Sequence, residues 1–274
     1  MNPLDDYSDL IASVRASRKY RDLALPEDML AELIRAEAPR ARNKAELAKA
    51  FRKKLHNIIA PYLEETDYAV EVEKARQLYA DLPDPQNVRA WATHVMQAHA
   101  STRERLPYIE EFATLLKKRT QGATTILDLA CALDPLLLPW LDLPLSTRFL
   151  AYDIHKPRID FLNTWFGLAY PQASAIQQDI LLNTPQEPAD CAFFFKEAHR
   201  FEKREPGCNR AFFERLNVQL LIVSLPANDL SGHHSLAEFH TNLVKSAVEG
   251  HSWQMACEQV GNELVFLIDK RPEG

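Results

Sequence analysis

Glycine is scarce in this sequence, with seven in 274 residues. The scarcity reaches the one loop where glycine would say most: Leu129–Pro135 contains none. A dinucleotide pyrophosphate needs close approach to the backbone, so this loop argues against a dinucleotide site. Cysteine is equally sparse. Cys131, Cys191, Cys208 and Cys257 stand far apart without a CxxC pair, so neither a zinc ribbon nor a disulfide framework is expected. Cys131 has no adjacent His or Lys to mark it as a nucleophile. No apolar run approaches the roughly 18 residues that cross a bilayer. The acidic start MNPLDDYSDL lacks the basic flank and apolar core of a signal peptide. The expectation is a cytoplasmic, monomeric protein with no membrane and no metal.

The net charge of −6 argues at first against a nucleic-acid partner, but the charge is unevenly spread. Arg35 to Lys54 holds eight basic residues against two acidic, and Glu64 to Asp84 holds seven acidic against two basic. A local basic patch can attract phosphates on an acidic protein, because salt screens charges beyond ~8–10 Å. A solvated helix face is the competing reading of the same run.

Prolines punctuate the first hundred residues, which read as helices over 5–18, 27–38, 43–60 and 66–80. Pro26 opens the second helix and Pro39 closes it. Leu47, Phe51, Leu55 and Ile58 make one apolar stripe on the third. The turn Asp81–Pro85 follows the fourth. After residue 120 short apolar runs alternate with helical stretches: Thr125–Leu129, Arg148–Tyr152, Ala173–Gln177, Cys191–Phe195 and Gln219–Leu225. That rhythm signals parallel strands with helical crossovers. Trp253–Gln259 and Glu263–Asp269 flank the turn Gly261-Asn262 and read as an antiparallel hairpin. The sum is an α/β, class I Rossmann-like methyltransferase pattern preceded by an all-helical domain. The expected division is a helical domain over 1–100 and a Rossmann-like domain over 101–274.

In an open parallel sheet, ligands bind beyond the carboxyl ends of the strands. Asp128 lies within the first strand here, Asp153 ends the second and Asp179 follows the third. Lys196 ends the fourth strand and Ser224 the fifth. A carboxylate after strand two can accept from both hydroxyls of a ribose, and one after strand three can lie beside an adenine amino group. Each taken singly is as readily a helix cap; together they are in register. His233, His234 and His240 imitate a metal cluster, but no carboxylate or cysteine completes it. Phe193, Phe194 and Phe195 read as buried strand residues, and Trp91, Trp140, Trp165 and Trp253 as core.

Three segments, His99–Leu106 (HASTRERL), Ile126–Leu136 (ILDLACALDPL) and Val223–Pro226 (VSLP), resemble the aminoglycoside-resistance 16S rRNA methyltransferases. Ala16–Arg21 (ASRKYR) and Leu55-His56 resemble that family's helical extension. The similarity spans nearly the whole chain. It implies S-adenosylmethionine as cofactor, the 30S subunit and its 16S rRNA as partner, and N7 of guanine-1405 as target. Carried over by position, it implies that Arg105 binds the methionine carboxylate, with His99 nearby. Ala130 and Ala132 would lie on the cofactor loop. Asp153 with Ile154 would hold the ribose, and Asp179 with Ile180 would border the adenine. Lys196 and Ser224 would sit near the target, with no acid–base residue needed. Arg18, Lys19, Arg52, Lys53, Lys54, Lys74 and Asn228 would meet RNA.

The sequence also departs from that family. Its loop Cys-Gly-Leu-Asn-Pro is here Cys131–Pro135 (CALDP), with Ala132 for glycine and Asp134 for a neutral amide. In its target loop an Arg or Lys has become Asn228, followed by Asp229. After Lys196 its Leu-Leu-Pro has become Glu197–His199 (EAH). A degenerate relative that binds RNA without methyl transfer is the alternative, and Ala132 and Asn228 are the residues that separate the two.

Overall fold

The computed structural model describes residues 7–60, 66–229 and 234–272. Its N-terminal part comprises α1 (Ser8–Arg15), α2 (Glu27–Glu37) and α3 (Lys44–Ile59). Asn43 caps α3 by accepting from the Glu46 amide at 2.9 Å, and the Glu46 carboxylate reaches back to the Arg42 amide at 3.0 Å. Two orphan donors at the helix start are satisfied in this way. Leu47, Phe51, Leu55 and Ile59 face Met29, Leu30, Leu33 and Ile34 in a small core of their own.

That helical core closes at Ile59. Next come α4 (Tyr68–Leu78), capped by Asp67, and α5 (Pro85–Met96), which Asp84 caps with Pro85 in the first turn. Both bury their apolar faces with the sheet residues: Ala75, Trp91, Val95 and Met96 join the same core as Phe149, Phe193 and Phe195. The turn expected at 81–85 is thus also a helix start. Short α6 (Ala100–Arg103) and α7 (Ile109–Arg119) lead into the sheet.

Beyond them the chain runs β1 (Thr125–Leu129), α8 (Leu138–Leu141), β2 (Arg148–Asp153), α9 (Lys156–Ala169), β3 (Ala173–Gln177) and β4 (Ala189–Phe195). It continues with α10 (Ala198–Arg204), α11 (Cys208–Arg215), β5 (Val218–Pro226), α12 (Ala237–Val248), β6 (Gln254–Val260) and β7 (Glu263–Asp269). The seven strands form one sheet in the order β3-β2-β1-β4-β5-β7-β6. β1 to β5 are parallel, and β7 pairs antiparallel with both β5 and β6. Successive side chains alternate faces. Ile126, Phe149, Phe193 and Ile222 pack beneath α5, α7 and α9, while Leu127, Phe194, Leu221 and Val223 pack beneath α11 and α12.

The strand order reverses between β1 and β4, and this switch point fixes where a ligand site can form. The N-terminal core lies beside it. Gln177 Nε2 donates to Ala24 O at 2.7 Å, Asn183 Nδ2 to Asp28 Oδ2 at 2.6 Å, and Ile154 and Leu182 pack against the helical core.

Candidate active site

The loop after β1 is unusual in its backbone. Ala130 (φ 53°) and Ala132 (φ 45°) are left-handed, and so is Lys196 (φ 55°) at the end of β4. Non-glycine residues held in this region cost free energy and cluster where a site demands them. Here the demand is visible: the bend aims the Ala132 amide at Asp153 Oδ2, 2.9 Å away. The same carboxylate takes Arg158 Nη1 at 2.9 Å on Oδ2 and the His155 amide at 2.8 Å on Oδ1. Substituting Ala132→Gly releases a conformational cost of about 1–2 kcal/mol, against roughly 0.5–1 kcal/mol of added unfolded-chain entropy. A small net gain in urea midpoint, with an unchanged m-value, is the expected result; a lower midpoint would contradict it.

Asp153 and Asp179 open onto a cleft of about 550 Å³ at the carboxyl ends of the strands. Ala130, Ile154 and Ile180 line it. Asp179 Oδ1 accepts from the Leu181 amide at 3.1 Å, and Arg204 pairs with Oδ2 at 2.6 Å. The volume suits a nucleoside-sized ligand. Two carboxylates offer acceptors for hydroxyl and amino groups, and two isoleucines offer apolar faces to a flat heterocycle. Lys54 and Asn57 of α3 and His199 of α10 also line it.

Arg105, Lys196 and Ser224 lie in a buried cluster beside the cleft, organised by a residue absent from the sequence-based site. Glu263, the first residue of β7, accepts from Arg105 Nε and Nη2 at 2.9 Å each. It also accepts from Ser224 Oγ at 2.7 Å and Tyr108 Oη at 3.1 Å, and Lys196 Nζ stands 3.3 Å away. Burial alone opposes ionisation of Glu263, but Arg105, Lys196 and these hydrogen bonds outweigh it and bring its pKa down to about 2. Asp134 pairs with Arg105 Nη1. Lys196 Nζ donates to Ser101 O and to Glu104 Oε2, both at 3.0 Å. Burial first, and then nearby cations such as Arg158 and Arg200, hold His99 neutral; its Nδ1 meets Ser101 Oγ at 2.7 Å.

Asp128 in β1 is 1% exposed and neither carboxylate oxygen has a hydrogen-bond partner. Burial pushes its pKa well up, Asp134 and Asp153 add to the rise, and Arg105 opposes it. Cys131 is buried beside them with its thiol pKa also raised, mainly by burial, which leaves it inert as a nucleophile.

The other expected residues divide. Arg18, Lys19, Arg52 and Lys53 are exposed, and contacts of Lys19 Nζ with His56 Nδ1 (2.7 Å) and of Arg52 Nη2 with Ser13 Oγ (3.3 Å) place Lys19 and Arg52 on one surface of the helical core. Lys54 turns away: it pairs with Glu37 at 3.1 Å and lines the cleft. Lys74 sits on α4, paired with Glu71 at 2.7 Å. The Asn228 side chain donates to Asn262 Oδ1 at 3.0 Å and so ties the loop after β5 to the β6–β7 turn. His240 Nδ1 meets Pro226 O at 2.7 Å, and among the described residues no group of His, Cys, Asp or Glu could hold a metal. His233 falls outside the described residues. Trp91, Trp140 and Trp165 are core, as read; Trp253 stacks on His251 at 4.0 Å and is half-buried.

The model of the ribosomal RNA methyltransferase (FmrO) family matches residues 16–267. The chain belongs to this family. Among curated relatives, a 16S rRNA (guanine(1405)-N(7))-methyltransferase from Micromonospora echinospora is 29% identical over 278 residues, 98% of each chain. One of the same description from Frankia casuarinae is 28% identical, covering 93% of this chain and 91% of its own. Among solved structures, the 16S rRNA methyltransferase RmtF in complex with S-adenosyl-L-homocysteine superimposes with a TM-score of 0.77 at 25% identity, over 99% and 100% of the two chains.

In this family member the hairpin turn packs against a partner of Glu263. Gly261 has φ +54°, and a Cβ there would stand 2.2 Å from the Tyr108 ring. Tyr108 reaches Glu263 across this missing side chain. Gly261→Ala therefore forces both a left-handed alanine and an overpacked ring, at a cost of about 2–4 kcal/mol. Thermal unfolding should record the loss, and an unchanged midpoint would show that Tyr108 moves aside freely.

Proposed function

We propose that this chain transfers a methyl group from S-adenosylmethionine to N7 of guanine-1405 of 16S rRNA in the 30S subunit, which gives aminoglycoside resistance. The observation that carries the reading is the cleft at the switch point, lined both by strand ends and by α3 of the helical core. RNA held on that core is thereby delivered to the cofactor. Asp153 with Ile154 would hold the ribose, Asp179 with Ile180 the adenine, and Arg105 the methionine carboxylate. S-adenosylmethionine supplies an electrophilic methyl group on sulfonium when bound.

Guanine N7 carries a free lone pair at neutral pH, so the chain's residues need only orient and enclose the flipped base. The polar groups of the cluster fit that modest demand: Lys196 and Ser224 are engaged by Glu263, Glu104 and Ser101, and His99 and His199 are neutral, the latter with its pKa lowered to about 3 by burial and then Arg200. A relative that binds RNA without methyl transfer is the alternative, and the methyl-transfer assay below separates the two. We further place the RNA-docking unit in residues up to 60, and expect the protein to act as a monomer in the cytoplasm, since one copy carries the whole cleft.

Docking through Arg18, Lys19, Arg52 and Lys53 would give binding that falls steeply with salt, with a log–log slope of roughly −0.7 to −0.9 per phosphate contact. Lys53→Glu should weaken 30S binding and flatten the slope by about one contact. Identical curves for variant and wild type would remove this residue from the interface. The function itself is tested by methyl transfer to purified 30S subunits, followed by borohydride and aniline cleavage and primer extension. A stop at guanine-1405 is expected. A stop elsewhere, or none with saturating cofactor, defeats the proposal.

A further inference from the structure

Arg105 has little left to offer an incoming anion. Glu263 takes its Nε and Nη2 and Asp134 its Nη1, while the guanidinium lies 4.2 Å from the Phe112 ring centroid and 4.9 Å from that of Phe195. The surrounding charges already sum to a net negative value. Arg105 and Lys196 are the cations, and Glu263, Asp134 and Glu104 are the anions that they touch. Burial raises the Asp128 pKa, which favours its neutral form. Arg105 and Asp134 are 1% and 4% exposed, so little water reaches this cluster.

A lone carboxylate entering such a place would be an uncompensated buried anion, which is strongly disfavoured. A zwitterion is different. Its carboxylate can take the edge of Arg105 that Asp134 releases, and its ammonium can take the Asp134 carboxylate that Arg105 releases. One internal ion pair then becomes two ion pairs with the ligand, and no charge is left alone. Of the two carboxylates on Arg105, Asp134 is the one able to give way. Glu263 is also held by Ser224, Tyr108 and Lys196, whereas the Asp134 side chain meets Arg105 alone. Asp134 also stands just after left-handed Ala132, on the loop whose Ala130 lines the cleft.

We propose that Asp134 is the receptor for the α-ammonium group of S-adenosylmethionine, parting from Arg105 to take it, and that it restricts the site to cofactors with an intact amino-acid end. The inference rests on the cofactor reading given above. It makes Asp134, which stands where the family has a neutral amide, a specificity-determining residue.

Calorimetry on the full chain with three ligands tests it: S-adenosylhomocysteine, its analogue lacking only the α-amino group, and 5′-methylthioadenosine, which lacks the amino-acid end altogether. In the wild type, loss of the amino group should weaken binding by about thirtyfold or more, on the order of 2 kcal/mol. In Asp134→Asn that gap should shrink to about threefold or less, with S-adenosylhomocysteine weakened and 5′-methylthioadenosine unchanged. Binding of 5′-methylthioadenosine reports that the variant is folded with its cleft intact. Should Asp134→Asn not fold, Asp134→Glu keeps the charge and must keep the wild-type gap. An equal gap in wild type and Asp134→Asn, or tighter binding of S-adenosylhomocysteine by that variant, overturns the assignment of Asp134. A wild type that binds 5′-methylthioadenosine but ignores the amino group overturns it too, and leaves the cofactor reading standing. A wild type that binds none of the three removes both.

Discussion

Replacing Glu263 by alanine will destabilise the protein by about 3–5 kcal/mol, the cost typical of breaking a buried pair and leaving its partner charged. Two cations lose their counter-charge at once, because Arg105 makes two hydrogen bonds to Glu263 and Lys196 stands 3.3 Å from it. The effect carries a pH signature. The Glu263 pKa falls from an ordinary 4.5 to about 2 on folding. A depressed acid stabilises the fold above its unfolded pKa, and the contribution is lost as pH falls through the folded value. The gap between wild type and Glu263→Ala should therefore be constant above about pH 5 and close between pH 4.5 and 2. Chemical denaturation across that range measures it. A gap that does not narrow in acid would mean that packing, and not charge, is what Glu263 supplies.

The second large effect is expected at Asp153. Asp153→Ala should weaken S-adenosylhomocysteine at least tenfold, or about 1.4 kcal/mol. The same change leaves Arg158, whose side chain is 0% exposed, without its carboxylate and frees the Ala132 amide. A direct contact with the ribose can be told from collapse of the loop by testing a 2′-deoxy ligand. If Asp153 meets the ribose, the missing hydroxyl costs affinity in the wild type and almost nothing in the variant. Unchanged affinity for the parent ligand would end the assignment.

The strands and their order of use were legible because each apolar run is short and bounded. The hairpin was legible from Gly261-Asn262, and Glu263–Asp269 begins and ends as read. The aspartates at the strand ends were found by the topology alone, since a parallel sheet leaves one end for ligands. Burial partners were harder to see. A helix over 66–80 was legible, but not that its Tyr68 meets Phe161 of α9; α5, whose Trp91 packs on Phe161 and Trp165 of α9, was not read as a helix. The basic run over α3 gives charge density without direction, so Lys54 read as surface although it faces Glu37 and the cleft. Glu263 was hidden for a related reason. An acid next to a hairpin turn looks solvated, and only the fold brings to it an arginine from 158 residues away. The one available hint was a charge heading the apolar run of the strand Glu263–Asp269 (ELVFLID).

That separation along the chain has a kinetic side. Arg105 and Glu263 can meet only after β7 has been inserted between β5 and β6, and contacts so distant in sequence pay their loop-closure entropy late in folding. A chain that has assembled only its parallel strands would have the carboxylates of β2 and β3 but no anchored arginine. A ligand whose tight binding needs both halves recognises the finished sheet and not its precursors. It should then act as a brake on unfolding, leaving the speed of folding as it was.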